Sequence, residues 1–304
     1  MTVRSTHLKL IGAAGAAALA ISTVATPAVA AGPVLASVHY KCLALNSVNV
    51  TPSAQYNVAA PPTSLVAGQT KKLATTSTFH LNPTDTTLAE GSLGATAFSG
   101  TIKTSPSNAG VGLGLSFPKT ALGNDTGGST TANATGSASL RFTKAGSFTL
   151  KLGAVGKVFL QGYDLSGNKA SSASFPDSTQ GNGPCKNTAG STALRDASAK
   201  AAVVTVSKDK SKTKTSAGYK ATKHLVKGKA NVKGHFGLAG KGKVKFILKK
   251  GTHKVAATKA KLNKKGVAHA KFKHVTKHGK YSITAKFPGD KALKKSSGKA
   301  RFKV

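Results

Sequence analysis

The sequence predicts an all-β protein, in which a signal peptide is followed by two β-sandwich domains. Short runs with an apolar residue at every second position recur along the chain, and this is the period of a half-buried strand. No long apolar face with the 3.6-residue period of a helix accompanies them. Glycine and proline separate the runs at intervals of about 8–12 residues, a spacing typical of sandwich domains.

Residues 1–30 have the three parts of a secretory signal peptide. Arg4 and Lys9 supply the positive start, Leu10–Val24 is apolar, and Ala28-Val29-Ala30 is a cleavage site. The apolar run is shorter than the ~20 residues that a membrane span needs, and no second such run follows. We therefore expect a secreted, extracellular protein without a transmembrane span, either released or associated non-covalently with the cell wall.

The first domain is expected to span residues 31–190. Around a Lys-Ala-Gly turn, residues 139–153 show the strand period, whereas the Ser/Thr/Gly-rich residues 123–139 resemble a surface loop. Cys42 and Cys185 are the only cysteines. Because an exported chain meets an oxidising space, one disulfide is the simplest expectation; two free buried thiols are the alternative.

A polar linker at 191–203 and a second domain at 204–304 complete the predicted organisation. From Thr205 to Val304 the chain has 30 lysines and arginines against Asp209 and Asp290, a net charge of +28 within the +37 of the whole chain. Apolar residues nevertheless alternate with lysines in Lys243–Lys250 and Lys280–Phe287. This order predicts a folded sandwich with a cationic surface rather than a disordered basic tail.

The end of the chain contains a spaced motif of glycine, aromatic, aliphatic and serine residues. Its members are Gly279, Tyr281, Ile283, Ala285, Phe287, Gly289, Asp290, Ser296, Ser297 and Val304. At these positions the chain resembles a bacterial Ig-like repeat domain. Phe287 stands where the family usually has Tyr. The resemblance implies a surface or secreted stalk or binding module and transfers no catalytic residue.

The first domain contains four short features that occur together. They are Tyr-Lys-Cys at 40–42, the stretch Pro62–Gln69, Ala-Gly-Ser-Phe-Thr-Leu at 145–150 and the late Cys185. In these features it resembles a secreted actinobacterial β domain of unknown function. It implies export and supports the pairing of the two cysteines.

No catalytic or metal-binding constellation is evident, so we expect neither an enzyme nor a cofactor. Glu90 is the only glutamate, the aspartates lie beside turn residues, and no Gly-x-Ser-x-Gly motif occurs. Lysines surround the neighbouring His269, His274 and His278 and would repel a metal cation. A pocket that gathered His80 with Asp85 or Glu90 would favour the alternative, an enzyme or inhibitor site in the first domain.

The charge of the second domain predicts non-specific binding of polyanions. Expected partners are anionic envelope polymers (wall phosphate polymers or acidic polysaccharide) or extracellular DNA. Lysine predominates over arginine, which disfavours base-specific reading. The alternatives are a lysine coat that only maintains solubility, and a structural spacer or adhesin module without a polyanion ligand. The predicted polyanion-binding residues are Lys243, Lys245, Lys249, Lys250, Lys271, Lys273, Lys299, Arg301 and Lys303.

Overall fold

The computed structural model describes residues 32–43, 49–104, 111–152, 155–175, 185–189 and 192–304. The predicted signal peptide lies outside them. The all-β prediction is confirmed: strands and one α-helix make up nearly all the regular structure of the described residues. None of their helices is long and apolar enough to span a membrane.

The elements of the first domain follow in chain order. They are β1 (Val34–Leu43), β2 (Asn49–Val50), β3 (Ser53–Val58), β4 (Ser64–Val66), β5 (Thr70–Leu81), α1 (Pro83–Leu93), β6 (Ala97–Thr104), β7 (Val111–Ala121), β8 (Thr130–Arg141), β9 (Gly146–Thr149), β10 (Lys151–Leu152), β11 (Val155–Tyr163), β12 (Lys169–Phe175), β13 (Cys185–Asn187), β14 (Thr192–Ala193) and β15 (Val203–Ser207).

Eight of these strands join into one closed antiparallel sheet. The pairing runs from β1 through β3, β5, β8, β7, β6, β11 and β13 back to β1. The sequence predicted strands here but gave no sign of this closure, because alternation shows which face is buried and not which strands pair. Closure leaves no open edge along the ring.

The inner face of the closed sheet is filled by side chains at alternate positions. In β1 these are Val34, Ala36, Val38 and Tyr40, each no more than 6 % exposed. Three phenylalanines pack together across the interior. The rings of Phe79 and Phe117 stack with centroids 5.5 Å apart, and the edge of Phe98 meets Phe117 at 5.2 Å, both favourable arrangements for aromatic pairs.

The predicted surface loop at 123–139 is wrong over most of its length. Only its first residues form a loop, and β8 begins at Thr130 and pairs with both β5 and β7. Its inward side chains are mostly small, as at Ala132, Ala134 and Ala138. Small inward residues beside serine and threonine conceal the strand period in the sequence.

Helix α1 was not predicted and packs against β5 and β11. Asn82 caps its first turn, with its side-chain oxygen accepting the Asp85 backbone N–H at 2.8 Å, and Pro83 follows the cap. Gly94 ends the helix in the left-handed conformation, with φ of 58°. The Asn-Pro start and the glycine stop are short-range signals that a search for apolar periodicity misses.

Cys42 and Cys185 lie in paired strands. Tyr40 is opposite Asn187 and Lys41 is opposite Lys186 in the β1–β13 ladder. Continuing this antiparallel register by one residue puts Cys42 opposite Cys185. The Thr188 N–H donates to the His39 carbonyl at 2.9 Å, so the alternation of the ladder makes the cysteine position a non-hydrogen-bonded pair, the kind with the closer Cα atoms. The cysteine side chains lie outside the described residues.

The second domain is a seven-stranded sandwich. Its strands are β16 (Ser211–Lys220), β17 (Leu225–Gly234), β18 (Lys243–Lys250), β19 (His253–Lys261), β20 (Val267–Phe272), β21 (Lys280–Phe287) and β22 (Ser296–Lys303). One sheet has the order β16-β17-β20 and the other β19-β18-β21-β22. Two packed antiparallel sheets of three and four strands make an Ig-like sandwich architecture, which fibronectin type III domains share. Phe246, Ile283 and Phe287 are buried between the sheets, as their alternation predicted.

The predicted linker at 191–203 and the domain boundary at 204 need correction. β14 pairs with β10, and β15 lies between β4, to which it is parallel, and β9, to which it is antiparallel. Val204 and Val206 are buried in the core of the first domain. Their alternation was predicted, but the sequence could not show which domain they join.

The two domains meet directly after β15. Asp209 bridges to Leu293 of the second domain, its N–H donating to the Ala292 carbonyl at 2.8 Å and its carbonyl accepting the Lys294 N–H at 2.9 Å. Only Lys208 separates Asp209 from the end of β15. A further backbone hydrogen bond, from Ala145 N–H to the Lys291 carbonyl, crosses between the domains at 2.9 Å.

Candidate functional site

The outer face of the four-stranded sheet is the candidate functional site, and we call it the lysine face. On β18 and β21 every second side chain is buried in the core, so the side chains between them point to solvent. Ten of these outward side chains are cationic. They are Lys243, Lys245 and Lys249 on β18, Lys259 and Lys261 on β19, Lys280 and Lys286 on β21, and Lys299, Arg301 and Lys303 on β22.

The strand register sets lysines directly opposite lysines. On the lysine face, Lys245 has Lys259 as its partner on one side and Lys286 on the other. The same arrangement recurs in the register pairs Lys243–Lys261, Lys249–Lys254, Lys280–Lys303, Lys212–Lys233 and Lys227–Lys271. Like charges in directly opposed positions destabilise a sheet.

The two aspartates of the second domain are directed at backbone N–H groups and do not belong to the lysine face. Asp209 is 2 % exposed and accepts the Phe236 N–H at 3.0 Å. Asp290 accepts the N–H groups of Ala292 and Leu293 on one oxygen and that of Lys241 on the other, at 2.7–2.8 Å. Both carboxylates therefore fix turns and the domain junction, and the lysine face has no acidic side chain.

One corner of the lysine face is concave, and we call it the lysine groove. It has a volume of about 1090 Å³. Pro288 is exposed at one end of it and Ser296 and Ser297 line one side, whereas the side chain of Phe287 is buried in the core and adds almost no surface. The lysines that line it are Lys243, Lys245, Lys259, Lys286 and Lys295.

The predicted polyanion-binding residues divide between several surfaces. Lys243, Lys245, Lys249, Lys299, Arg301 and Lys303 belong to the lysine face. Lys271 lies on the outer face of the three-stranded sheet, opposite Lys227. Lys250 lines a different groove with Lys280 and Tyr281, and Lys273 follows the end of β20.

Sequence analysis missed five cations of this region, namely Lys259, Lys261, Lys280, Lys286 and Lys295. Lys280 and Lys286 could have been found, because they alternate with the buried residues of β21. In β19 the buried face carries only small residues, such as Ala256 and Ala260, so the alternation there is weak. Lys295 precedes β22 and joins the groove only through the fold.

His269 and His274, which are close in the sequence, lie on different elements of the second domain. His269 is exposed on β20 opposite Lys229, whereas His274 lies in the connection after β20 in a left-handed conformation, with φ of 58°. Among the described residues, no three His, Cys, Asp or Glu side chains are grouped so as to hold a metal ion.

The first domain does not gather His80 with Asp85 or Glu90. The cavity beside α1 measures about 20 Å³, room for about one water molecule. Asp85 reaches it but accepts the Thr51 N–H at 3.0 Å, and burial raises the pKa of its carboxyl group. Glu90 is exposed, and His80 contacts Thr131 instead, with Nδ1 and Oγ1 3.2 Å apart.

His80, Thr131 and Asp125 form a hydrogen-bonded chain on the outer surface, but in the wrong order for nucleophilic catalysis. Thr131 Oγ1 donates to Asp125 Oδ2 at 2.9 Å. The hydroxyl proton therefore faces a carboxylate and not the histidine, which a nucleophile–base pair requires. The hydrogen bonds from Thr126 and Thr131 lower the pKa of the Asp125 carboxyl group.

Comparisons with known proteins do not assign the chain to a family. No protein-family model matches it, and no curated protein does. Among solved structures, the D00-D0 domain of intimin is 15 % identical, with 83 % of this chain and 98 % of that chain covered and a TM-score of 0.26. The FN1–FN3 domains of chicken CNTN1 are 9 % identical, with 90 % and 89 % covered and a TM-score of 0.22. Scores of this size carry no argument, so the fold assignment rests on the strand order described above.

Proposed function

We propose that this chain is an exported, non-enzymatic surface or matrix protein that its second domain holds on anionic envelope polymers. The lysine face attracts the polymer electrostatically, and the first domain is thereby displayed outside the cell. The partners are wall phosphate polymers, acidic polysaccharide or extracellular DNA.

The register of like charges carries this proposal. Solubility is met by a net charge of about 2–8 in a small domain, and dispersed lysines would supply it at little cost in stability. Here Lys245 lies between two lysines on adjacent strands, an arrangement that opposes folding. An anionic ligand would relieve the repulsion between these lysines, and its binding explains why the surface keeps them.

The residue types favour attraction to a charged backbone over the reading of bases. Lysine is a hydrated point charge, whereas arginine makes the forked contacts that recognise guanine. Most phenylalanines of the second domain, such as Phe246, Phe272 and Phe287, are buried and cannot stack on bases, and Phe236 is the exposed exception. Binding is therefore expected to be independent of sequence and to weaken steeply with salt.

The test is co-sedimentation of residues 32–304 with purified cell walls over a salt series, using walls with and without their phosphate polymers. We expect sedimentation at low salt that disappears as salt rises and that requires a polyanion in the wall. Protein that stays in the supernatant at low salt with both kinds of wall would contradict the proposal.

A structural spacer without a polyanion ligand is the second candidate. The short junction favours it, because Asp209 joins the second domain one residue after β15 ends, and a rigid spacer needs such a joint. The two candidates differ in the sedimentation test, since a spacer predicts no binding. An enzyme or inhibitor site in the first domain receives no support from the side chains around the cavity beside α1.

A further inference from the structure

We propose that the lysine groove is the binding site of a single phosphodiester chain. The bound chain crosses β19, β18 and β21 at right angles to the strands. This inference rests on the proposed function and deepens it, because it names one location and one polymer chemistry. The occupant is a polymer of the glycerol-phosphate type, with one negative charge per repeat and a short uncharged linker between phosphates.

The first argument is the placement of charge. Lys259, Lys245 and Lys286 form a row across three adjacent strands, and neighbouring strands lie roughly 4.8 Å apart. Lys243 continues the pattern along β18, roughly 6.8 Å further on. A flexible chain can bring successive phosphates over ammonium groups at these intervals, so each phosphate relieves the repulsion between two lysines.

The second argument is the apolar surface beside the charges. The exposed ring of Pro288 and the methylene stems of the lysines lie next to the ammonium groups that line the groove. Apolar surface next to cationic groups suits a polymer in which carbon linkers alternate with phosphates, because linkers contact the apolar surface while phosphates meet the lysines. Ser297 is exposed at the wall and can donate a hydrogen bond to a phosphate oxygen.

The third argument is that the charge is interrupted beside the groove on the same three strands. The next row there is Ala257, Ile247 and Thr284, which carry no charge, and this row reaches a cation only at Lys299 on β22. On β18 this uncharged row separates the groove from Lys249. A broad, rigid polyanion such as duplex DNA gains little from a narrow row of lysines, whereas a single chain can enter the groove.

The test compares two triple variants of the whole mature chain that lose the same charge. The groove variant is Lys245→Gln, Lys259→Gln and Lys286→Gln. The matched control, Lys212→Gln, Lys227→Gln and Lys229→Gln, changes three exposed lysines on the other sheet. Binding of a purified poly(glycerol phosphate) chain and of duplex DNA is measured by isothermal titration calorimetry at several salt concentrations, with thermal unfolding to verify the fold of each variant.

We expect the groove variant to lose at least about tenfold in affinity for poly(glycerol phosphate), with a salt slope smaller by about 2 for three lost contacts. The control variant should stay within about threefold of wild type. Equal losses in both variants would overturn the groove and leave electrostatic anchoring intact. A groove variant impaired only toward duplex DNA would overturn the occupant. A wild-type protein that binds neither polymer would overturn the proposed function itself.

Discussion

Lys245 and Lys259 are direct cross-strand partners on the exposed face of the second domain. In most sheets such a position holds an uncharged pair or opposite charges, which add stability. Two ammonium groups roughly 7 Å apart in water repel each other by about 0.6 kcal/mol, and Lys286 adds a second neighbour on the other side. The polymer surface that we propose is thus maintained at a cost in the stability of the fold.

Replacing Lys245 should therefore improve stability while it impairs binding. We expect Lys245→Gln to raise the free energy of unfolding by about 0.2–1 kcal/mol at low salt, a gain that shrinks at high salt through screening. Lys264→Gln, in the exposed turn between β19 and β20, is the control and should change little. Urea unfolding at low and high salt measures both. A loss of stability in Lys245→Gln would show that the lysine is held by favourable contacts.

The cysteine register predicts a disulfide between Cys42 and Cys185. The oxidised wild-type chain, unfolded without reductant, should have no thiol that reacts with an alkylating reagent. The double variant Cys42→Ser, Cys185→Ser should lose about 2–4 kcal/mol of unfolding free energy, because the bridge restricts the unfolded chain. Two reactive thiols in the unfolded wild-type protein would contradict the pairing.

Gly100 is required by the interior of the closed sheet. A Cβ atom at this position would collide with the carbonyl oxygen of Phe159 and with the ring of Phe117. We expect Gly100→Ala to cost about 1–3 kcal/mol of unfolding free energy, as overpacking does. Gly114→Ala on β7 is the matched control, because its Cβ meets open space. Denaturation curves of the two variants should differ clearly; if they coincide, the packing around Phe117 is looser than described.

The buried tyrosine pair predicts loss of stability in alkali. The hydroxyls of Tyr40 and Tyr56 lie 3.0 Å apart, and burial raises the pKa of Tyr40 from 10.0 to about 12 and that of Tyr56 well above 10.0. Below pH 10 both hydroxyls are neutral in the folded and in the unfolded chain, so they do not change the free energy of unfolding. As the pH rises from 10 to 12, the unfolded chain ionises while the folded one does not, so stability falls.

Tyrosinate absorbance measures this directly. While the fold persists, we expect Tyr40 and Tyr56 to remain un-ionised at pH 11. Their signal should appear together with unfolding. The double variant Tyr40→Phe, Tyr56→Phe should lack this late step, and its persistence there would assign the step to other tyrosines.

The sequence predicts the second domain well because its buried residues are large. Phe246 and Ile283 alternate with lysine and threonine, so face and strand are both visible. The first domain is less predictable because Ala132 and Ala134 of β8 bury little area and resemble their polar neighbours. The pairing of strands that are distant in the sequence has no local signal. Neither the closed sheet nor the domain to which β15 belongs could therefore be predicted from the residues alone.

The sequence predicted the cationic character of the site but not its location on the fold. Lysine excess and alternation indicated a cationic surface, and Lys243 and Lys245 were identified from β18. The row that Lys245 forms with Lys259 and Lys286 depends on which strands are adjacent. Since register emerges only from the folded sheets, a count of charges could not distinguish the lysine groove from the rest of the surface.

The short junction at Lys208 has a mechanical consequence. When a polymer is bound to the second domain, a force that pulls on the first domain acts along the axis of β15. This strand is hydrogen-bonded to a neighbouring strand on each side. Those bonds lie across the strand, so we expect them to share the force and to rupture together, as one abrupt event in single-molecule pulling. A strand peeled from its end would instead release its bonds one after another. We therefore expect the junction to resist the force that shear flow exerts on the first domain.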